Sequence, residues 1–181
     1  MEMQKMFKKG FKCVVVVLIL VGLLACENTL TEKEYLSDAS DNLKKGDVNA
    51  AVINIKNALK LNAANHQTHA MLGHVMLNSD SPALAEVEFE KLKQLGADKD
   101  IWLTGLSKAL LLQGKLDSLL KMDESIDSDA EKIKLLAYKV MALIQQKKMG
   151  QAKVIMEKAE ALGVESLDLD MNTLKGAWKT N

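Results

Sequence analysis

The three histidines of this 181-residue chain lie close together, at positions 66, 69 and 74. Imidazole nitrogens are common metal ligands, and His66 and His69, three residues apart, would share one face of a helix. At about 100° per helical residue, however, His74 would point about 140° away from His69. No carboxylate lies among the three. Helix histidines without a ligand are the preferred interpretation, and a metal-binding periplasmic protein is the minor alternative.

Motifs for enzymatic chemistry are missing from the sequence. It contains no nucleophile elbow, no Walker-type loop and no dinucleotide fingerprint. The acidic run from Asp123 to Asp129 lacks the glycine and the terminal glutamate of an EF-hand loop, which indicates a solvated turn. All 24 basic residues are lysines, which disfavours nucleic-acid or bidentate phosphate recognition. We therefore predict a protein that is not an enzyme and that binds no metal, nucleic acid or small-molecule substrate.

The first 25 residues have the features of a removable export signal. Four lysines at positions 5, 8, 9 and 12 precede an unbroken apolar run from Cys13 to Ala25. A helix of 13 residues would extend about 20 Å, which is short of the roughly 30 Å hydrocarbon core of a bilayer. The run is therefore typical of the apolar part of a signal peptide.

The signal ends in Leu23-Leu24-Ala25-Cys26, which resembles the bacterial lipobox, Leu-x-[Ala/Gly]-Cys. The resemblance implies that the Ala25–Cys26 bond is cut and that Cys26 carries covalent diacylglyceryl and N-acyl lipid as a membrane anchor. The alternative is an uncleaved anchor with an incidental cysteine. Glu27 stands where an inner-membrane retention signal would have aspartate, which favours the outer membrane. We predict a signal peptide over 1–25, the lipidated cysteine and a short tether over 26–31, and a periplasm-facing domain over 32–181.

The composition of the remaining chain predicts an all-α domain. The chain is 48% hydrophobic and 4% aromatic with one proline, which excludes disorder and disfavours β-structure. Helix starts are indicated by capping boxes at Thr31–Glu34 and Ser128–Glu131 and by a cap with a first-turn proline at Ser81–Pro82. Glycines at 46, 96, 114 and 163 mark helix ends. The predicted helices are 32–45, 48–61, 66–79, 82–95, 100–113, 115–123, 129–146, 149–162 and 167–179.

This helical part repeats with a period of 34 residues. Ala51 aligns with Ala85 and Ile55 with Phe89, a third copy follows, and a fourth is one residue out of phase. The pattern resembles the tetratricopeptide repeat (TPR), a pair of antiparallel helices that stacks into an α-solenoid. The third copy departs from it, so its second helix is degenerate. The residues that match the small, turn and large apolar positions of the repeat are Ala39, Gly46, Ala51, Ala58, Gly73, Ala85, Phe89 and Ala152.

Four helix pairs and a ninth, unpartnered helix therefore form the predicted α-solenoid. The ninth helix, over 167–179, has two interpretations. It is either a polar cap at the end of the solenoid or the first helix of a fifth repeat, in which case the chain is the amino-terminal part of a longer protein.

The lipobox, the tether and the block from Lys44-Lys45-Gly46-Asp47 to Leu59 together are similar to the TPR-repeat lipoproteins of exosortase/PEP-CTERM systems. These occur beside exopolysaccharide gene clusters in Gram-negative bacteria, and the similarity is sharpest over residues 26–97. It implies a non-enzymatic envelope scaffold or adaptor that serves polysaccharide or sorted-protein export. The alternative is a TPR lipoprotein of an outer-membrane assembly complex.

The TPR resemblance also implies a concave groove lined by the first helix of each repeat. Such a groove would bind a helix or an extended peptide of a partner protein through apolar anchors. The alternative is that its leucines pack against neighbouring repeats instead. The matching positions are Lys33, Leu36, Ser40, Leu43, Gln67, Ala70, His74, Leu77, Ile101, Thr104, Lys108 and Leu111.

Overall fold

The computed structural model of the protein describes residues 30–163, which form eight α-helices and no β-strand. The all-α class is confirmed for this part of the chain. Seven helices match the predicted ones to within two residues at either end, whereas α6 has five residues and is much shorter than expected. The predicted helix over 167–179 lies outside the described residues. The helices are α1 (Glu32–Lys44), α2 (Val48–Leu61), α3 (His66–Asn78), α4 (Pro82–Gln94), α5 (Lys99–Leu112), α6 (Leu116–Leu120), α7 (Asp129–Gln145) and α8 (Met149–Glu160).

Neighbouring helices pack in pairs. The most extensive contacts join α1 to α2, α3 to α4, α4 to α5 and α7 to α8. Three of these pairs, α1–α2, α3–α4 and α7–α8, are connected by turns of only three residues, so that their helices must run antiparallel. Helix α5 also packs on α3 and on α7, which links successive pairs through their first helices.

The turn within each pair has the same backbone conformation. Gly46, Asp80, Gly114 and Lys147 all have a positive φ, between 51° and 78°. The first three follow one another at intervals of 34 residues and the fourth comes one residue early, as the alignment of the repeats predicts. Asp80 and Lys147 adopt this left-handed conformation although it costs a non-glycine residue about 1–2 kcal/mol. The positive φ of the turn therefore recurs in all four copies, although the residue at that position varies.

Side-chain caps begin several helices. Asp47, Asn65 and Ser128 each accept a hydrogen bond from the backbone N–H three residues further on. This confirms the serine half of the capping box predicted at Ser128, whereas the Glu131 carboxylate accepts from Thr104 and Lys134. Ser81 is the N-cap residue of α4, as predicted, but its hydroxyl donates to the backbone carbonyl of Ser79 at 3.2 Å and makes no hydrogen bond to the first turn. Helix α4 then begins with proline at its first position, as predicted, where no N–H is required.

The small residues of the repeat lie where helices approach closely. The five alanines with this role are fully buried, at 0% exposure: Ala39, Ala51, Ala58, Ala85 and Ala152. The fully buried ring of Phe89 on α4 lies against Gly73 of α3 and Gly105 of α5. A Cβ atom built on these glycines would lie only 2.8 Å and 2.3 Å from Cζ of the ring. Three helices therefore meet at one phenylalanine, and Gly105 was not among the predicted repeat residues.

Candidate functional site

The residues of the predicted groove differ widely in exposure. Gln67 and His74 are exposed, and Leu43, Thr104 and Lys108 are half-buried. The further groove position Lys33 is exposed, and Leu36, Ser40 and Ile101 are half-buried.

Three other groove positions, Ala70, Leu77 and Leu111, belong to the hydrophobic core, with Leu77 and Leu111 only 7% exposed. For these two leucines the burial favours the alternative that they pack between helices. The surface that remains open to a partner is mostly polar.

Hydrogen bonds link α5 to α7 on this surface. The Thr104 hydroxyl donates to Oε2 of Glu131 at 2.7 Å, and Nζ of Lys134 donates to Oε1 of the same carboxylate at 2.7 Å. Beside them, the edge of the His74 imidazole packs on the Phe89 ring, with 5.3 Å between centroids. Partial burial and the charge of Lys108 lower the pKa of His74 below its ordinary value.

His69 forms a buried bridge between helices. It is 8% exposed, its Nδ1 lies 2.7 Å from Oε2 of Glu88 on α4, and its Nε2 lies 3.1 Å from the carbonyl oxygen of Ala63. Both ring nitrogens therefore lie within hydrogen-bond distance of an oxygen atom of the protein. Within residues 30–163 no group of three or more potential ligands is arranged to hold a metal ion.

The segment 121–128, which follows the short helix α6, is held by three lysines from three other helices. Nζ of Lys99 lies 2.5 Å from Oδ2 of Asp123, and Nζ of Lys139 lies 2.7 Å from the carbonyl oxygen of Met122. Lys139 also donates to Oε1 of Glu124 at 2.8 Å, and Lys158 donates to the other oxygen of that carboxylate. We refer to Lys99, Lys139 and Lys158 with this segment as the lysine clamp.

The acidic run is a largely exposed turn, as predicted, since Asp123, Ser125 and Asp127 are exposed. The lysine contacts of the clamp, however, were not predicted. Ile126 of this segment is buried, and the charges of Asp123 and Glu124 are paired. The physical reason is that α6 ends after five residues. The segment that replaces the rest of the helix lacks helical hydrogen bonds, and lysine ammonium groups supply donors for its carbonyl and carboxylate oxygens.

Both clamp carboxylates are held in the ionised form. Burial raises the pKa of Glu124, but hydrogen bonds and charge from Lys139 and Lys158 lower it by more, so it lies below the ordinary value. Hydrogen bonds from Lys99 and Ser125 hold the pKa of Asp123 well below its usual range. The clamp is therefore fully ion-paired at neutral pH.

One signal in the sequence pointed to Lys139. The residue stands at apolar helical spacing, between Leu135 or Leu136 and Leu143, and is only 4% exposed. A lysine in the apolar face of a helix is rarely buried without a partner. Its partners lie on a segment whose position could not be derived from the repeat pattern.

Comparisons with protein-family models and with curated protein sequences find no match for this chain. None of the helices between residues 30 and 163 is long and apolar enough to cross a membrane. Ala25 and Cys26 lie outside the described residues, so cleavage and lipidation at this position stay predictions from the sequence.

Proposed function

We propose that this chain is a lipid-anchored TPR scaffold or adaptor of the bacterial envelope that binds other proteins. The observation that carries the proposal is the recurrence of a left-handed turn at residues 46, 80, 114 and 147, each followed by a helix that packs on the preceding one. The buried alanines and Phe89 occupy the positions at which a TPR requires small and large apolar side chains. The lipobox-like sequence at Cys26 supports the anchor.

The proposed process is export of exopolysaccharide or sorted protein in an exosortase/PEP-CTERM system, because the lipobox and the first two repeats are similar to lipoproteins of those systems. A scaffold role suits the exposed, mixed polar face of α3 and α5, on which Gln67, His74 and Lys108 reach solvent. Binding at such a face would depend on hydrogen bonds and shape more than on apolar anchors.

Replacement of Cys26 by serine is expected to release the protein from the membrane, because serine provides no thiol for the lipid. The measurement is an immunoblot of inner-membrane, outer-membrane and soluble envelope fractions from the native cell. The wild-type protein is expected in the outer membrane, and its band gives the length of the mature chain. Cys13→Ser is the matched control and should not change the distribution. A Cys26→Ser protein that stays in the membrane would instead support an uncleaved anchor.

A photo-crosslinking amino acid at position 67 is expected to capture a partner protein in these cells, because Gln67 is exposed on α3 at a groove position. The matched control places the same amino acid at Lys56, which is exposed on α2, and it should capture much less. Mass spectrometry of the adduct then separates an export partner from an outer-membrane assembly protein. Equal labelling from both positions, or none from position 67, would contradict binding at this face.

A further inference from the structure

Helix α7 buries a charge where the second and third copies of the repeat have leucine and the first has the exposed Asp38. The positions equivalent to Lys139 in the second and third copies are Leu72 and Leu106, which are both buried. Replacement of a buried ion pair by apolar residues of similar size is often neutral or stabilising. Packing of the helix pair alone would therefore accept an apolar residue here, and the ammonium group instead serves the segment after α6, where it donates to the Met122 carbonyl and the Glu124 carboxylate.

A cavity lies beside this buried ammonium group. Its volume is about 370 Å³, and it is bounded by α6, α7, α8 and Glu124. Its lining combines four aliphatic residues with the side chains of Lys139, Glu124 and Gln151. It is an open groove, and Val154 of its lining is 63% exposed. The aliphatic residues of the walls are Leu120, Leu143, Val154 and Ile155.

The carboxylate of Glu124 occupies the charged end of this cavity. It accepts hydrogen bonds from Lys139 and from Lys158, so two cations share one anion. Glu124 belongs to the irregular segment after α6, whereas both lysines are fixed on helices. Glu124 is thus held less firmly by the backbone than the two lysines are. The carboxylate of a ligand could therefore replace the Glu124 carboxylate between the two ammonium groups.

We propose that this cavity binds a monoanionic amphiphile, namely a medium-chain fatty carboxylate. Its head group replaces Glu124 between Lys139 and Lys158, and its alkyl chain lies along Leu120, Leu143 and Ile155. The volume is near the lower end of the range for ligand pockets, about 300–1,000 Å³, so it suits one short alkyl chain rather than a two-chain lipid. The site is independent of the proposed scaffold function.

The test is an isothermal titration of the full-length protein with octanoate in a non-ionic detergent, with the detergent alone as the blank. Octanoate is expected to bind, whereas octanol lacks the charge, acetate lacks the chain, and neither should bind measurably. Lys139→Met is expected to weaken octanoate binding by roughly tenfold or more, because it removes a charge-assisted hydrogen bond. Lys153→Met, which changes an exposed lysine on α8, is the matched control and should bind as the wild type does.

A second variant is expected to strengthen octanoate binding, whereas Lys139→Met weakens it. Glu124→Gln removes the internal carboxylate that competes for the lysines, so octanoate should bind about threefold or more tightly. A lysine clamp with a purely structural role predicts that any gain is the same for acetate as for octanoate. This variant also decides the matter if Lys139→Met does not fold. Absence of octanoate binding by both wild type and Glu124→Gln, or equal binding of octanol and octanoate, would overturn the proposal.

Discussion

Gly105→Ala is expected to destabilise the protein by about 2–3 kcal/mol, although alanine is the better helix former. The added Cβ would lie 2.3 Å from Cζ of Phe89 and 2.5 Å from its Cε1. The ring cannot move away, because it is fully buried and its edge already lies against Gly73. Because the Phe89 ring lies between three helices, the overlap with the new methyl group can be removed only if a helix shifts. The free energy of unfolding is measured by urea denaturation.

Gly150→Ala is the matched control for this substitution. Gly150 lies in the first turn of α8 with a negative φ, and a Cβ there would meet nothing within 4 Å. Gly150→Ala should therefore leave the free energy of unfolding unchanged or raise it slightly. Phe89→Leu combined with Gly105→Ala should cost less than the sum of the two single changes, because the smaller side chain gives space to the new methyl group. Equal stability of Gly105→Ala and Gly150→Ala would show that the ring adjusts freely.

The regular features of the fold could be predicted because they depend on local sequence. Turn glycines, the cap at Ser128 and the period of 34 residues set the helix bounds, and the period also marks the turn at Asp80 and Lys147, where no glycine stands. A local signal fixes the position of a cap but not the bond of its side chain. Ser81 is the N-cap residue of α4, as its type predicts, but its hydroxyl donates to the Ser79 carbonyl and not to the helix.

Features that depend on distant contacts could not be predicted. Gly105 has the appearance of an ordinary helix residue until Phe89, which is 16 positions earlier, is placed against it. Burial of Leu77 and Leu111 depends on how closely successive pairs pack. The degenerate second helix of the third copy was recognised, but not the segment that replaces it. The partners in the lysine clamp are 15 to 34 residues apart, so no local pattern reveals them.

Lys139→Ala is expected to destabilise the protein by about 3 kcal/mol, because removal of one partner from a buried ion pair leaves the other uncompensated. Lys139 holds both the Met122 carbonyl and the Glu124 carboxylate, so both would lose a buried donor. Lys158→Ala removes a half-exposed partner of the same carboxylate and should cost less than about 1 kcal/mol. The loss in free energy of unfolding caused by each variant is measured by urea denaturation at pH 7. The ratio of the two losses tests whether burial determines how much each lysine stabilises the fold.

The combination of Lys139→Met with Glu124→Gln should recover most of the stability that Lys139→Ala loses, since no charge then stays buried without a partner. The pH dependence of the stability difference between wild type and Lys139→Ala provides a further check. The folded-state pKa of Glu124 is depressed, so its contribution is present above the ordinary carboxyl range and is lost as pH falls through the folded value. The difference between wild type and Lys139→Ala should therefore narrow on acidification. A difference that is constant with pH would show that the lysine stabilises the fold by its aliphatic packing and not by its charge.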